Sequence, residues 1–187
     1  MLVRYLLLFF IISSGSVQSV FAATNVDPIM DKLREIDANV LFIRHAIAPG
    51  FGDPDNFVIN QCNTQRNLDA AGRSQAIALG QKLKQSNIVV DKVYSSYWCR
   101  CLETAKLLQL GVVVKFAGLN SFFEEHADRN QTLKLLQEKL SELDQNSLTL
   151  MVTHQVVIQA VSGIGVSSGG GVAYNTRTRK AVRVAIE

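Results

Sequence analysis

Three short apolar segments of the sequence are each followed by side chains that bind or attack phosphate. Arg44 and His45 directly follow one segment, His154 follows another, and Arg100 comes a few residues after a third. An open α/β sheet binds its ligands beyond the carboxyl ends of its strands, so neighbouring parallel strands would bring two guanidinium groups and two imidazoles to one pocket. That set fits a dianionic phosphoryl group and a nitrogen nucleophile to attack it.

These residue types suit phosphoryl transfer for physical reasons. The transition state is loose and spreads charge over the equatorial oxygens, so positioning and fixed positive charge supply most of the catalysis. The planar fork of arginine holds such oxygens in pairs and keeps its charge. A histidine nucleophile must be neutral, and its free pKa of about 6.5 allows this at neutral pH. Two adjacent guanidinium groups would lower that pKa further.

The elements that must position these residues alternate along the chain. Predicted helices cover 27–37, the segment capped by Asp69, 98–109, a segment around 133–143, and 155–162; predicted strands end at His45 and cover 91–96, 112–116, 148–152 and 181–186. A long loop, 46–67, and a glycine–serine loop, 163–171, separate some of them. Alternation with near-continuous apolar strands predicts an α/β fold, a three-layer α/β/α sandwich with a mostly parallel central sheet.

Composition limits the class of protein. The chain has 187 residues, 48% hydrophobic and 19% charged, which fits one globular domain with a normal core. Its formal charge of +3 is small and the sequence has no block of lysine and arginine, so we expect no nucleic-acid partner. No glycine-rich nucleotide-binding motif follows a strand.

The first 23 residues resemble a signal peptide. Arg4 gives a basic start, 6–12 form a short apolar stretch, and Ala22 and Ala23 offer a cleavage site. We therefore expect a single catalytic domain over 24–187, exported to the periplasm or secreted, with no stable membrane insertion after cleavage. The apolar stretch is much shorter than the roughly 20 residues of a spanning helix, and an uncleaved anchor is the alternative.

Export would place the cysteines in an oxidising compartment. Of Cys62, Cys99 and Cys101, one pair can form a disulfide, which leaves one thiol free. We favour Cys62–Cys99, because it would tie the long loop to the segment that carries Arg100, while the sequence leaves the pairing open. A helix could bury Cys101 as a small hydrophobic residue. The spacing of 99 and 101 is not that of a zinc site, so we expect no metal.

Four motifs occur in the order found in a known family. Residues 41–46 (Leu-Phe-Ile-Arg-His-Ala) resemble its Arg-His-Gly signature, 68–76 its Leu-Thr-x-x-Gly-x-x-Gln-Ala helix start, and 152–154 its second histidine motif. The spacing of Ser96, Arg100 and Thr104 matches its second arginine motif. From 40 to about 163, the chain resembles the histidine phosphatase superfamily, in the branch of the cofactor-dependent phosphoglycerate mutases. Residues 62–68 and 119–123 look like a small exported bacterial subgroup.

The resemblance implies a role for each matching residue. His45 would be the nucleophile that forms a phosphohistidine, and Arg44, Arg100 and His154 would hold the phosphoryl oxygens. Gln65 and Arg66, in the long loop, are candidate substrate contacts. No metal ion or cofactor is implied. Ala46 replaces the usual glycine, which is tolerable if the backbone there is not left-handed.

The general acid is the gap in this resemblance. Ser121 stands where the mutase-like enzymes have a glutamate. Glu124, Glu125 and Asp128 lie just downstream and are candidates, with a solvated acidic loop as the alternative. A phosphohistidine substrate is a good leaving group and needs an acid less than a sugar phosphate does.

These features predict a phosphoric monoester hydrolase. Its substrates would be phosphorylated small molecules such as sugar phosphates, envelope glycolipid phosphates, or phosphohistidine in a phosphoprotein. The alternative is a non-catalytic phosphate-ligand binding module that keeps the arginine clamp and lacks the acid. A mutase is disfavoured because the chain is too short for substrate-closing insertions.

Overall fold

The computed structural model describes residues 27–186 of the chain. The predicted signal peptide, 1–23, lies outside the described residues. The helices are α1 (Pro28–Glu35), α2 (Ala70–Gln85), α3 (Cys99–Leu108), α4 (Arg129–Glu142) and α5 (Gln155–Ser162). The strands are β1 (Val40–Arg44), β2 (Lys92–Ser95), β3 (Val113–Lys115), β4 (Thr149–Thr153), β5 (Gly171–Tyr174) and β6 (Ala181–Val184).

The predicted α/β architecture is confirmed. Six strands form one sheet in the order β3-β2-β4-β1-β5-β6. The first four strands in this order, from β3 to β1, are all parallel to one another. The sequence prediction missed β5, placing a loop up to 171 and no strand before 181. This short strand pairs antiparallel with β1 and with β6. It therefore closes the side of β1 that the parallel strands leave free.

Both faces of the sheet are covered, because side chains of β1 alternate between two cores. Leu41 and Ile43 point to the face covered by α1, α2 and α3, whereas Val40 and Phe42 point to the face covered by α4 and α5. All four side chains are fully buried. Burial of such a side chain contributes on the order of 1.5–3 kcal/mol, so β1 is held firmly between the layers.

Capping residues set where the helices begin. Asp27 accepts a hydrogen bond from the Ile29 backbone, and Pro28 occupies the first turn of α1. Asp69 accepts from the Gly72 backbone at 2.7 Å, as the sequence predicts for α2. A side chain at Gly72 would put its Cβ 1.9 Å from the Ile47 carbonyl oxygen, so only glycine lets α2 pack this close to the chain after β1.

The topology brings three strand ends to one edge of the sheet. Strand β4 lies between β1 and β2, and all three run in the same direction. The backbone of His45 continues this pairing by donating to the Thr153 carbonyl at 2.9 Å, and that of Ser96 donates to Val152 at 3.0 Å. Among residues 27–186, no helix combines the length and apolar character needed to cross a membrane.

Candidate active site

A cavity of about 410 Å³ opens at this edge of the sheet. Its walls include Arg44, His45, Arg100 and His154, so the structure brings together the four residues that the sequence places beyond three strands. Arg66 from the long loop also lines it. Three guanidinium groups and two imidazoles therefore surround one space, which is the electrostatic character of an oxyanion site.

The imidazole of His45 is held in one tautomer. The residue is 2% exposed, and its Nδ1 lies 2.8 Å from the carbonyl oxygen of Ala46. A carbonyl only accepts, so Nδ1 carries the proton and the lone pair lies on Nε2. The Ala46 backbone in turn donates to Thr104 Oγ1 at 3.0 Å. Ala46 is not among the described residues with positive φ, so alanine replaces the usual glycine without strain.

The proton on His154 is also fixed by its neighbours. Ser96 Oγ donates its single proton to Asn120 Oδ1 at 3.2 Å, and the Tyr97 backbone N–H orients that same oxygen at 3.0 Å. Ser96 Oγ must then accept from His154 Nε2, which lies 3.0 Å away. Because Nε2 is turned to Ser96, Nδ1 is the nitrogen of His154 that remains for a ligand.

Arg100 is held by a carboxylate that the sequence reasoning missed. Its Nη1 and Nη2 donate to Asp53 Oδ1 and Oδ2 at 2.7 and 3.1 Å, and Nη1 also donates to the Arg66 carbonyl at 3.2 Å. Asp53 further accepts from Trp98 Nε1 at 2.9 Å. These hydrogen bonds hold the pKa of the Asp53 carboxyl below its usual value, although burial opposes the shift. No local sequence signal marks Asp53 in the loop.

This arrangement leaves one edge of Arg100 free. Asp53 occupies the edge formed by the two terminal nitrogens, which leaves the edge formed by Nε and the remaining Nη2 proton. Among residues 27–186, Nε of Arg100 and Nε of Arg44 are buried side-chain nitrogens with no hydrogen-bond partner. Arg44 uses Nη1 to donate to the Val166 carbonyl at 3.0 Å. Two buried donors without partners, both in residues that line the cavity, are what a bound oxyanion would satisfy.

Burial and the nearby positive charges lower the pKa of both histidines. Burial lowers the pKa of His45 to about 3, and the charge of Arg100 adds to this effect. Burial and the same guanidinium lower the pKa of His154 well below its usual value. The two rings lie 5.4 Å apart between centroids. Both imidazoles are therefore neutral at neutral pH in the absence of a bound anion.

Of the two predicted loop contacts, the structure brings only Arg66 to the cavity. Its Nε donates to the Gly52 carbonyl at 2.8 Å and its Nη1 to the Ala48 carbonyl, so it also holds the loop. Gln65 lies outside the cavity wall. Its amide nitrogen donates to two loop carbonyls, and its oxygen accepts from the Cys99 backbone at 2.9 Å. Gln65 thus joins the loop to α3.

The candidate acids lie at the edge of the cavity or outside it. Among the described residues, the lining of the cavity includes no aspartate or glutamate. The Glu124 carboxylate is partly exposed and packs against Gly52, and Glu125 is exposed. Asp128 caps α4 by accepting from the Gln131 backbone at 2.6 Å. Ser121, which stands where the resemblance predicts a glutamate, lines the cavity.

The predicted disulfide is present, between Cys62 of the long loop and Cys99 at the start of α3. Cys101 is a buried free thiol, and burial raises its pKa to about 12. Its sulfur lies 3.4 Å from His154 Nε2. The disulfide therefore anchors the loop that carries Asp53 and Arg66 beside the helix that carries Arg100.

The fold and this site define an α/β protein with two histidines and three arginines around one cavity at the edge of its sheet. A sequence model of the histidine phosphatase superfamily (branch 1) matches residues 40–124, so this part of the chain is similar to that superfamily. No curated protein matches the chain by sequence at a significant level.

Solved structures support the fold. The protein histidine phosphatase SixA complexed with tungstate matches with a TM-score of 0.54 and 14% identity, covering 78% of this chain and 94% of that one. The alpha-ribazole phosphatase from Shigella flexneri matches with a TM-score of 0.52 and 19% identity, over 78% and 94%. A mycobacterial glucosyl-3-phosphoglycerate phosphatase matches with a TM-score of 0.52 and 14% identity, over 78% and 96%.

Proposed function

We propose that this protein is a phosphomonoesterase that works through a covalent phosphohistidine on His45. The observation that carries the proposal is the state of the His45 ring. Its Nδ1 proton is tied to the Ala46 carbonyl, so the lone pair lies on Nε2, in a cavity lined by Arg44 and Arg100. A neutral nitrogen nucleophile beside fixed positive charge is the arrangement that phosphoryl transfer needs.

In the first step, the phosphoryl oxygens bind the free edges of Arg44 and Arg100. His45 Nε2 forms a bond to phosphorus as the bond to the ester oxygen breaks, and that oxygen leaves with the electron pair. The protonated Nδ1 keeps its hydrogen bond to the Ala46 carbonyl, which stabilises the positive charge that develops on the ring. The arginines neutralise the charge on the transferring group throughout.

His154 responds to the bound anion. A phosphoryl dianion opposes the burial and the guanidinium charge that keep its pKa low, so binding favours a proton on Nδ1. His154 then donates from Nδ1 to a phosphoryl oxygen while Nε2 stays bonded to Ser96. In the second step, water attacks phosphorus, the nitrogen–phosphorus bond breaks, and inorganic phosphate and neutral His45 are regenerated.

Sugar phosphates, envelope glycolipid phosphates and phosphohistidine remain the proposed substrates, with Arg66 as a further contact. Glu124, whose carboxylate packs against Gly52 of the cavity wall, is the first candidate for proton delivery to a basic leaving group, with Glu125 beside it. We also propose export to the periplasm or outside the cell, with 1–23 as the leader. The Cys62–Cys99 disulfide supports this placement, because such bonds persist in oxidising compartments.

The test is formation of a phosphoenzyme from an aryl phosphate, whose leaving group needs little protonation. Purified wild type should release phosphate and trap an acid-labile, base-stable phosphoryl group, and His45→Ala should do neither. His126→Ala is the matched control, since it removes the third histidine of the chain, outside the cavity lining. If wild type binds phosphate but forms no phosphoenzyme, the result would support the alternative of a non-catalytic binding module. The observation that favours this alternative is that the described lining of the cavity has no carboxylate.

A further inference from the structure

Part of the cavity wall has no role in holding a phosphoryl group. Two phenylalanines, Phe51 and Phe123, line the cavity together with the arginines. Their rings meet edge to face, with centroids 5.3 Å apart and an interplanar angle of 89°. They form a small aromatic rim, here defined as the side chains of these two residues.

The rim is built on supported backbone. Phe51 is 85% exposed and stands on a turn between Gly50 and Gly52, whose φ values are +93° and +64°. These left-handed conformations suit glycine. Arg66 donates to the Gly52 carbonyl and to the Ala48 carbonyl, so one guanidinium clamps both ends of the turn. The exposed ring is therefore presented by a fixed turn.

The partner ring comes from a different part of the chain. Phe123 is 37% exposed and begins the short 3-10 turn Phe123–Glu125 that follows Ser121. The Phe123 backbone donates to Ser121 Oγ at 3.3 Å, which connects the rim to the cavity wall. Two rings from separate segments thus meet at the cavity and stay open to solvent, and aromatic side chains are common in the walls of ligand pockets.

A second observation concerns the leaving group. The described lining of the cavity has no carboxylate, and the buried Asp53 is committed to Arg100, Arg66 and Trp98. A strongly basic alkoxide departs slowly without an acid, whereas a leaving atom bonded to an aromatic ring spreads the electron pair into that ring. The chemistry of the cavity and the chemistry of its rim thus favour the same kind of substrate.

We propose that the substrate of this site carries its phosphoryl group directly on a planar aromatic ring, which packs against Phe51 and Phe123. This inference rests on the proposed function, which it deepens. When His45 Nε2 bonds to phosphorus, the bond from phosphorus to the aryl oxygen or ring nitrogen breaks. The electron pair goes to the departing atom, which takes its proton from water. No carboxylic acid is required.

The experiment measures binding without catalysis. Isothermal titration calorimetry of the purified protein compares inorganic phosphate, benzylphosphonate and cyclohexylmethylphosphonate, of which the last two match in size and charge and differ in aromaticity. Wild type should bind the benzyl compound about 3- to 10-fold more tightly than the cyclohexyl one, and Phe51→Leu should reduce that preference to about 2-fold or less. Val112→Ala, at a site 87% exposed and outside the cavity lining, should retain the full preference.

The outcomes separate the two proposals. Equal binding of both phosphonates with normal phosphate binding overturns the aromatic rim and leaves the phosphatase proposal standing. Tighter binding of decylphosphonate than of benzylphosphonate also overturns it, because the rim would then receive an alkyl chain. A wild-type protein that does not bind inorganic phosphate would contradict the proposed function itself. The rates of hydrolysis of phenyl phosphate and of phosphoimidazole then show whether the leaving atom is oxygen or nitrogen. A lower rate in Phe51→Leu than in wild type, with either compound, supports the aromatic rim.

Discussion

Arg100 and Asp53 form a bidentate ion pair in which both side chains are almost fully withdrawn from solvent, at 4% and 3% exposure. The carboxylate takes the two terminal nitrogens of the guanidinium and leaves the edge that contains Nε unpartnered. This ion pair opposes rotation of the Arg100 side chain to another rotamer. We therefore expect Asp53 to act as a positioning residue for the edge of Arg100 that binds the phosphoryl group in the proposed mechanism.

We expect Asp53→Asn to lower kcat/KM for an aryl phosphate by about 100-fold, because misplacement of one clamp by about an ångström has an effect of that order. It should also lower the free energy of unfolding by about 3 kcal/mol, since Arg100 stays buried without its charge partner. Steady-state kinetics and urea unfolding measure the two effects. Asp55→Asn, an exposed residue of the same loop, should change neither. Unchanged activity in Asp53→Asn would contradict the positioning role.

The buried histidines make the ligand-free protein acid-sensitive. The pKa of His45 is lowered to about 3 and that of His154 well below its usual value, both mainly by burial. As the pH falls below about 6.5, the unfolded chain binds protons that the native state does not, so stability is present above that pH and is lost below it. His45 should account for about 2 kcal/mol between pH 7 and pH 5, and His154 should add a loss in the same direction.

Urea unfolding at pH 7 and pH 5 measures this loss. Wild type should lose more stability than His45→Asn, by about 2 kcal/mol, and His45→Asn should keep the part of the loss that is due to His154. Added inorganic phosphate should reduce the loss in wild type, since a bound anion favours the protonated form of His154. The same free energy of unfolding at both pH values would show that neither imidazole is neutral and buried in the folded protein.

The hydrogen bond between Ser96 and His154 offers a test of the second histidine. Ser96→Ala removes the acceptor of the Nε2 proton, so we expect the fixed tautomer of His154 to be lost and kcat to fall about 10-fold. Nitrogen NMR of the imidazole reports the tautomer directly, which a general loss of packing would not change. Ser95→Ala is the matched control, because the Ser95 hydroxyl donates only to the Ser96 carbonyl. Retention of the Nε2 proton in Ser96→Ala would rule out this role.

The fold was predictable because its elements have strong local signals. The starts of α1 and α2 are marked by local residues, Asp27 with Pro28 and Asp69. The apolar segments of β1 and β4 likewise predict buried strands from their own residues. Strand β5 was missed for the opposite reason. It is short, it begins at Gly171, the last residue of a glycine run, and its stability comes from pairing with β1 and β6 rather than from its own sequence.

The candidate site divides in the same way. Arg44, His45 and His154 follow strand ends, and Arg100 lies on the helix after β2, so sequence and topology together locate them. Asp53 pairs with a residue 47 positions away and sits in a loop whose composition suggests only turns. Gln65 was predicted as a substrate contact, and the structure uses its amide to join the loop to α3. Such long-range hydrogen bonds leave no local pattern.

The disulfide makes the loop of the site dependent on redox conditions. Cys62 is exposed and bonds to Cys99 across 37 positions of sequence, and the enclosed segment includes Arg66 and α2. Closing a loop of that length stabilises the folded state by about 4 kcal/mol in the chain-entropy description. We expect reduction to lower stability by up to that amount and to raise KM for an aryl phosphate, because Arg66 is released together with the loop. Dithiothreitol titration with parallel thiol counting, activity and unfolding measurements checks this.

The double variant Cys62→Ser, Cys99→Ser is the control. It should match the reduced wild type in stability and KM, and dithiothreitol should not change either quantity. Full activity and unchanged stability after two new thiols appear would mean that the hydrogen bonds of Gln65 and Arg66 hold the loop without the disulfide.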